Sequence, residues 1–477
     1  MNRERTKTLI LSLLVILSIM SVHKIWFDSP LPLLQTDATG GKEYQAKVYD
    51  LRNQVISPKR ATVGFGGGTR NDPYAIPYTI LDYYEMKDVW EISKLLLLDF
   101  FAGEVEIESI GIDQYLDNNR RRFVELEFGD NISSVILSSL FEVVDSRIIR
   151  NVREIKKIFI PVNNVGRIYL VGNDDNIYEV RLNNYQNDML EGSILELERK
   201  EFVRYYPTLN YVGNQTLIPV NYDQPLHSIV IESEINSNNE SDVIARTKSL
   251  FNDNFDFVKT IQETSGSRIF LYGYGEKSVR VSNRGHLEFK QEVGNASSTN
   301  VTEALNVALG FIDGHGGLPE TAYIDKIENV AESNKGYYFS FGYSVGGYPI
   351  AIGDDIPPIE IEIFGNKVKT YRRIIRNELN PASFDMGEGI ISPINIIEKH
   401  LELLKKDFIE DSITVDKIDD NEILSSISNV EIVYHDPLEI GGMQLLTPNW
   451  RITVNNRVYY FDGYSGSLLY NYNYTAN

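Results

Sequence analysis

Residues Asn449–Leu469 read NWRITVNNRVYYFDGYSGSLL. Leu445–Val454 and Val458–Phe461 read as strands. An earlier stretch, Tyr337–Ile350, reads YYFSFGYSVGGYPI and repeats the pattern loosely. Each stretch sits beside a helical segment and carries paired aromatics, which cover a large area where a helix packs on a sheet. Two explanations stay open. The two stretches descend from one unit, or any antiparallel sheet with one helical face would look this way.

Working outward, Pro358–Phe364 (PIEIEIF) alternates strongly and Val368–Ile375 reads as a further strand. The helix Ile394–Phe408 (INIIEKHLELLKKDF) is amphipathic, and Asp420–Ser428 also reads as helical. Thr302–Phe311 reads as a helix ended by Gly314, Gly316 and Gly317. Ala322–Val330 is ambiguous. In the middle of the chain Glu240–Phe251 reads as a helix. Strands are expected at Arg167–Val171, Ile177–Leu182, Ser193–Leu197, Leu217–Val220, His227–Glu232, Phe257–Gln262, Ser267–Tyr272, Ser278–Val281 and Leu287–Lys290. Near the start, Asp82–Phe101 (DYYEMKDVWEISKLLLLDFF) reads as a helix capped by Asp82. Asn131–Phe141 reads as a second helix capped by Asn131, with Phe123–Phe128 alternating between them.

The N-terminus begins MNRERTKTLILSLLVILSIMSVHKIWFDSP. Arg3, Arg5 and Lys7 precede a run from Thr8 to Val22 that is apolar or hydroxylic throughout. Roughly 20 helical residues cross a bilayer. Thr8–Phe27 supplies them when Lys24 extends to the interface and Trp26 anchors there. No small-x-small cleavage site comes after it, so the segment reads as an uncleaved anchor. The basic flank stays in the cytoplasm and the C-terminal bulk is translocated.

The fold class expected is therefore α+β: an N-terminal transmembrane helix, then a multidomain ectodomain of mostly antiparallel sheets with packed helices. The layout reads as a basic tail (1–7), membrane helix (8–27), stalk (28–43), mixed α/β domain (44–200), central strand–helix–strand domain (201–296) and C-terminal α+β domain (297–477).

The formal charge is −21; the first 24 residues carry a net +3, which leaves −24 on the rest. That opposes nucleic acid or an anionic membrane surface as the main partner of the ectodomain. An apolar content of 42%, with 29 Tyr and 21 Phe, opposes disorder. The chain has no cysteine. A large Cys-free ectodomain fits the outer face of a Gram-positive cell.

Motifs for catalysis fail on context. Gly342-Tyr343-Ser344-Val345-Gly346 matches G-x-S-x-G, with Asp385 and His400, or Asp411 and His435, downstream in order. That motif requires a strand turning into a helix, and Gly347, Tyr348 and Pro349 do not begin one. Gly273–Ser278 lacks the spacing of a phosphate loop and places Glu276 where phosphate would sit. Gly64–Gly68 has no dinucleotide unit around it. The histidines (23, 227, 286, 315, 400, 435) form no close pair. Asp354–Asp355 and Asp174–Asp175 are acidic pairs in turns, read as solvated rather than as cation ligands. No catalytic, cofactor or metal residue is assigned, and no cofactor is expected.

The whole pattern resembles the YycH family of Gram-positive two-component-system regulators. The resemblance rests on the basic start and its span, on Tyr337–Ile350, on Ile359–Phe364, and on the end from Asp436, DPLEIGGMQLLTPNWRITVNNRVYYFDGYSGSLL. That last stretch also resembles a PepSY-type unit. The resemblance implies a non-catalytic membrane protein, single-pass, with its C-terminal domain extracellular. Its implied partners are the sensor histidine kinase YycG (WalK) and the sister protein YycI, with self-association a further option. It implies effects on cell-wall metabolism, with no catalytic positions to carry over. Residues 8–27 would then contact the kinase, with Leu9, Leu13, Ile16, Met20, Lys24 and Trp26 as candidate contact positions. The competing reading is a cell-wall-active enzyme or polysaccharide-binding protein. That reading requires a deep cleft of convergent carboxylates and aromatics, for instance near Asp354 and Asp355.

Overall fold

The computed structural model describes residues 40–66, 78–116, 122–162, 166–172, 176–185, 189–200, 202–207, 216–222, 225–294, 297–331, 335–379, 388–411, 417–438 and 442–473. The expected membrane helix, with its six candidate contact positions, lies outside them. No helix among the described residues is long and apolar enough to cross a membrane. The chain divides into two units, Met1–Asp50 and Leu51–Asn477. A helix, Gly40–Val55, begins inside the stretch read as a stalk. All the sheets of the described residues belong to the second unit.

Three times in succession a helix is followed by four antiparallel strands in chain order. The helix Glu240–Phe251 precedes Lys259–Gln262, Arg268–Tyr272, Lys277–Val281 and Leu287–Gln291. The helix Val301–Gly314 precedes Tyr323–Ala331, Gly336–Gly342, Ile359–Phe364 and Lys367–Arg373. The helix Pro393–Asp411, with the short Asp420–Ser425, precedes Ile427–Asp436, Pro448–Val454, Arg457–Asp462 and Leu468–Asn473. The second helix shows why each unit closes. Asn300 caps it, its side chain accepting from the Glu303 amide at 2.8 Å. Ala304, Leu305, Ala308, Leu309 and Ile312 recur at three and four and are buried. That stripe lies on three of its unit's four strands, Gly336–Gly342, Ile359–Phe364 and Lys367–Arg373; in the first two, Phe339 and Phe341, and Ile359, Ile361 and Ile363, are buried at alternate positions.

The first two units fuse into one eight-stranded sheet, because Leu287–Lys290 pairs with Thr370–Arg373. The third keeps its own sheet but receives a hairpin from the second unit. Ile350–Ile352 of that hairpin run parallel to Tyr434–Asp436. The N-terminal part forms a nine-stranded antiparallel sheet from Glu106–Ile110 at one edge to Leu217–Asn221 at the other. Sheet pairing therefore runs across residues 200/201 and 296/297, both of which the sequence suggested as domain boundaries.

Several elements differ from their sequence reading. Ser193–Leu197 is not a strand but part of the helix Met189–Arg199. Its short apolar alternation also fits a helix, with Leu190 and Ile194 buried at i, i+4, and Leu, Met and Glu favour helix. Asn131 does not begin a helix: the strand Arg122–Ser133 runs on, and Ser133 caps the short helix after it. Ile132 and Ser133 stay extended because they pair with Ile155 and Glu154. Asp420–Ser425 is helical, with a capping box between Asp419 and Glu422, but Ile427 already pairs with Val454. The ambiguous stretch is the edge strand Tyr323–Ala331. Leu445–Val454 is split before Pro448, and its two pieces lie in different sheets.

Two contacts fix how these sheets meet. Arg376 and Asp436 form an ion pair at 2.6 Å with both side chains fully buried. Arg376 also donates to Ser233 Oγ at 2.9 Å and to the Arg284 carbonyl at 3.2 Å. At the other contact, the strand Arg122–Ser133 bulges between Glu127 and Ile132. The bulge brings Gly129 against Asp325: a Cβ on Gly129 would lie 2.6 Å from Asp325 Cα and from the Ile324 carbonyl oxygen. Asp130 Oδ2 then accepts from the Ile327 amide at 3.0 Å.

Replacing Asp436 with Ala leaves a buried guanidinium without its counter-charge. Urea unfolding should show a loss of about 3–5 kcal/mol. Gly129→Ala overpacks backbone against backbone and should cost about 1–3 kcal/mol in the same assay. Wild-type midpoints for either variant would contradict these two junctions.

Candidate functional site

Two ladders of charge face each other across a cavity of about 380 Å³. In the N-terminal sheet Arg60, Glu127 and Lys157 stand directly opposite one another on three neighbouring strands. Arg60 Nε donates to Glu127 Oε2 at 3.0 Å, and Lys157 Nζ lies 3.6 Å from the same oxygen. In the C-terminal sheet Glu431, Arg451 and Tyr460 are opposite one another in the same way. Arg451 Nη1 donates to Glu431 Oε1 at 2.7 Å. Lys59 donates to Asp325 Oδ1 at 3.1 Å, and Lys156 to the Gly129 carbonyl at 2.6 Å. Arg60, Glu127, Lys59, Lys156, Glu431 and Arg451 all line the cavity.

The titration of these groups follows from that crowding. Burial alone would raise the Glu127 carboxyl, but Arg60, Lys157 and Lys156 outweigh it and bring it down to about 2. Glu431 is likewise pushed up by burial and pulled down further by Arg451, Lys59 and Arg60. Asp325 is held low chiefly by Lys59, whose own value is raised chiefly by Asp325. Lys156 behaves differently: burial lowers it, and its neighbours do not make up the difference.

The rest of the lining is aromatic and apolar. Tyr205, Tyr222 and Tyr348 contribute, and the Tyr222 and Tyr348 hydroxyls share a hydrogen bond of 2.8 Å. Tyr222 meets the buried Trp450 edge to face, with ring centroids 5.6 Å apart. Trp450 Nε1 donates to the Ile391 carbonyl at 2.8 Å. The helix Tyr83–Ala102 starts at the cavity. Asp82 Oδ1 caps it by accepting from the Glu85 amide at 2.9 Å, and the Tyr83 amide donates to the Gly347 carbonyl at 3.2 Å. Glu85 is raised by burial and by Asp82, with Lys200 3.7 Å away. Glu127 and Glu431 remain ionised well below neutral pH and already hold guanidinium partners. They suit a fixed electrostatic cradle rather than proton donation, which needs a raised carboxyl.

The motifs singled out in the sequence fall elsewhere or are already engaged. Ser344 does line the cavity, but it sits in a hairpin with no helix after it. Its amide donates to Thr321 Oγ1 at 3.0 Å, and Thr321 Oγ1 donates back to its carbonyl at 2.7 Å. Neither His400 nor His435 makes a triad: His400 Nε2 pairs with the Gly466 carbonyl at 2.8 Å, and His435 Nε2 with that of Gly353 at 3.1 Å. Asp411 binds Arg457, and Asp385 lies outside the described residues. Asp355 is not a solvated turn residue: it accepts from Arg451, from Tyr472, and from Tyr460 at 2.6 Å. Asp354 accepts from Tyr470. Gly273–Gly275 is a tight turn joining two strands, with Tyr274 exposed. Asp174 and Asp175 lie outside the described residues. Among the described residues no group of three or more His, Asp or Glu is placed to hold a metal ion.

Of the charged residues that line the cavity, Asp82 was singled out in the sequence as a helix cap, whereas Lys59, Arg60, Glu127, Lys156, Glu431 and Arg451 were not. Their signal was present as charge inside alternating strands: Lys59-Arg60, Glu125 and Glu127 in VELEF, Lys156-Lys157 in EIKKIF. Which of them face one another depends on register and on how two sheets meet.

The molecule thus belongs to the α+β class of helix-backed antiparallel sheets, built in successive helix-and-meander units and enclosing a charged cavity. Within that class it shares the fold of YycH from Bacillus subtilis, with a TM-score of 0.53 and 15% identity over 85% of this chain and 95% of that one. A protein from Eubacterium rectale overlaps with a TM-score of 0.34 at 13% identity, covering 55% of this chain and 92% of that one. The YpeB C-terminal domain of Bacillus megaterium gives 0.22 at 11% identity, covering 49% and 97%. No protein-family model matches the sequence, and no curated protein matches it.

The low value of Glu127 makes a signed prediction. Its folded value lies below the ordinary 4.5, so its stabilisation is present above pH 4.5 and is lost as pH falls toward about 2. That stabilisation is on the order of 3 kcal/mol. Urea midpoints at pH 7 and pH 3 should differ by less in Glu127→Gln than in the wild type. An unchanged acid response would show that the carboxylate is not held by Arg60 and Lys157.

Proposed function

We propose that this protein is a membrane-anchored regulator of a sensor histidine kinase of the YycG/WalK kind. It acts together with a YycI-type partner, through its membrane helix and its extracytoplasmic domain, and thereby affects cell-wall metabolism. The observation that carries the reading is the fold shared with YycH over 85% of this chain. The sequence resemblance at Tyr337–Ile350, Ile359–Phe364 and Asp436–Leu469 points the same way, as does the apolar run behind a basic N-terminus.

The kinase contact is placed on residues 8–27. Leu9, Leu13, Ile16 and Met20 recur at three and four, so on a helix they share one face. Lys24 and Trp26 continue toward the outer interface. His23 and Lys24 interrupt the apolar run where a plain tether would stay apolar. Lys24 would pair with an acidic residue of the partner there.

A photo-reactive residue at Leu13 or Ile16, in the full chain in its own membrane, tests this directly. A captured histidine kinase is the expected result. Capture of no protein would favour the wall-binding or enzyme reading instead. Lys24→Leu should lower recovery of the kinase severalfold in co-purification; unchanged recovery would remove Lys24 from the contact.

A further inference from the structure

The geometry points to the charged cavity as a binding site for a small anion with a ring or acyl body. The anionic group would sit at Lys156, between the two charge ladders, and the body against Tyr205, Tyr222 and Tyr348. This site would exist whether or not the chain regulates a kinase.

The first observation is a cation left out of the ion pairing. Four cations line this part of the cavity: Lys59, Arg60, Lys156 and Arg451. Carboxylates pair with three of them: Asp325 binds Lys59, Glu127 binds Arg60, and Glu431 and Asp355 both bind Arg451. Lys156 is left over. Its ammonium meets the Gly129 carbonyl but, among the described residues, no carboxylate within ion-pair distance. Burial disfavours that ammonium. A cation withdrawn from water without a counter-ion is costly, and an anion beside it would relieve the cost.

A second observation lies on the opposite wall. Arg451 Nε is buried and makes no hydrogen bond among the described residues, although the rest of its guanidinium is engaged by Glu431 and Asp355. Arg451 lines the cavity, so its guanidinium adds positive potential on that wall. The cavity volume of about 380 Å³ falls within the usual range for small-molecule sites. Tyrosines supply flat apolar area with a polar end, and Met86, Leu81 and Val203 extend the apolar lining.

The charge of the whole chain narrows the ligand. At −21 overall, the molecule repels an extended polyanion long before it reaches the cavity. The attraction is local, so the ligand is small and carries one or two charges. A carboxylate and a phosphate monoester both meet these terms.

The test uses the full chain in detergent, with phenyl phosphate and benzoate as probes and benzyl alcohol as the uncharged control. Calorimetric titration should show saturable binding of at least one anionic probe, with benzyl alcohol at least tenfold weaker. Tighter binding of phenyl phosphate would assign a phosphorylated ligand; equal or tighter binding of benzoate would assign a carboxylated one. Lys156→Gln keeps a donor for the Gly129 carbonyl and removes the charge. It should weaken anion binding at least tenfold while the urea midpoint holds or rises, and Lys156→Arg should retain binding. Saturation of neither anion at millimolar concentration would overturn the proposal. So would undiminished binding in Lys156→Gln.

Discussion

Arg376 and Asp436 are an ion pair with no access to water, and three pieces of chain converge on them. Arg376 starts the short strand that leaves the eight-stranded sheet and pairs with Ile231–Ser233. Asp436 ends the first strand of the C-terminal sheet. The Tyr343 hydroxyl, at the hairpin crossing between the two, donates to the Arg376 carbonyl at 3.1 Å and accepts from its amide at 2.8 Å. Two desolvated charges tolerate burial only when their remaining hydrogen-bonding capacity is met. Here Ser233, the Arg284 carbonyl and the Leu438 amide meet it. Leu438 adopts φ +60° to do so, a conformation that costs an ordinary residue roughly 1–2 kcal/mol.

That junction constrains the cavity. It fixes where the hairpin Ser344–Ile352 joins the C-terminal sheet, and that hairpin brings Ser344, Gly347 and Tyr348 to the cavity lining. From the other side, Gly129 and Asp130 lock the N-terminal sheet to the edge strand Tyr323–Ala331. Asp325, which pairs with Lys59, lies on that strand. The two ladders therefore face each other because two separate junctions set the spacing of their sheets. Neither ladder contributes much by exposed ion pairing; their effect comes from low exposure and mutual proximity.

Strand and helix identity was largely legible, because it depends on local periodicity. Asp82 and Asn300 were readable as caps, one by expectation and one only in retrospect, and both accept from the amide three residues on. The alternation at Ile359–Phe364 gives a strand whose buried and half-buried residues also alternate. Misreadings fell where a short window fits two periods, as at Ser193–Leu197, or where distant pairing prolongs a strand, as at Ile132 and Ser133. Asp355 shows the same limit for the site. In the sequence it is an acid in a turn; folded, it is the acceptor for an arginine and two tyrosines from three other strands.

By itself the sequence determined an α+β chain of antiparallel sheets backed by helices, acidic and free of cysteine, with an apolar run behind a basic N-terminus. Those properties follow from composition and from periods of two and of 3.6, which a linear chain carries openly. The tertiary structure decided that sheets run across the expected boundaries, that Glu127 lies between Arg60 and Lys157, and that Lys156 donates to the Gly129 carbonyl and, among the described residues, forms no ion pair. Register and sheet-to-sheet placement depend on residues hundreds of positions apart, such as Lys59 and Asp325. Asn449–Leu469 announces its strands plainly, but not the sheet that Glu431 and Arg451 face.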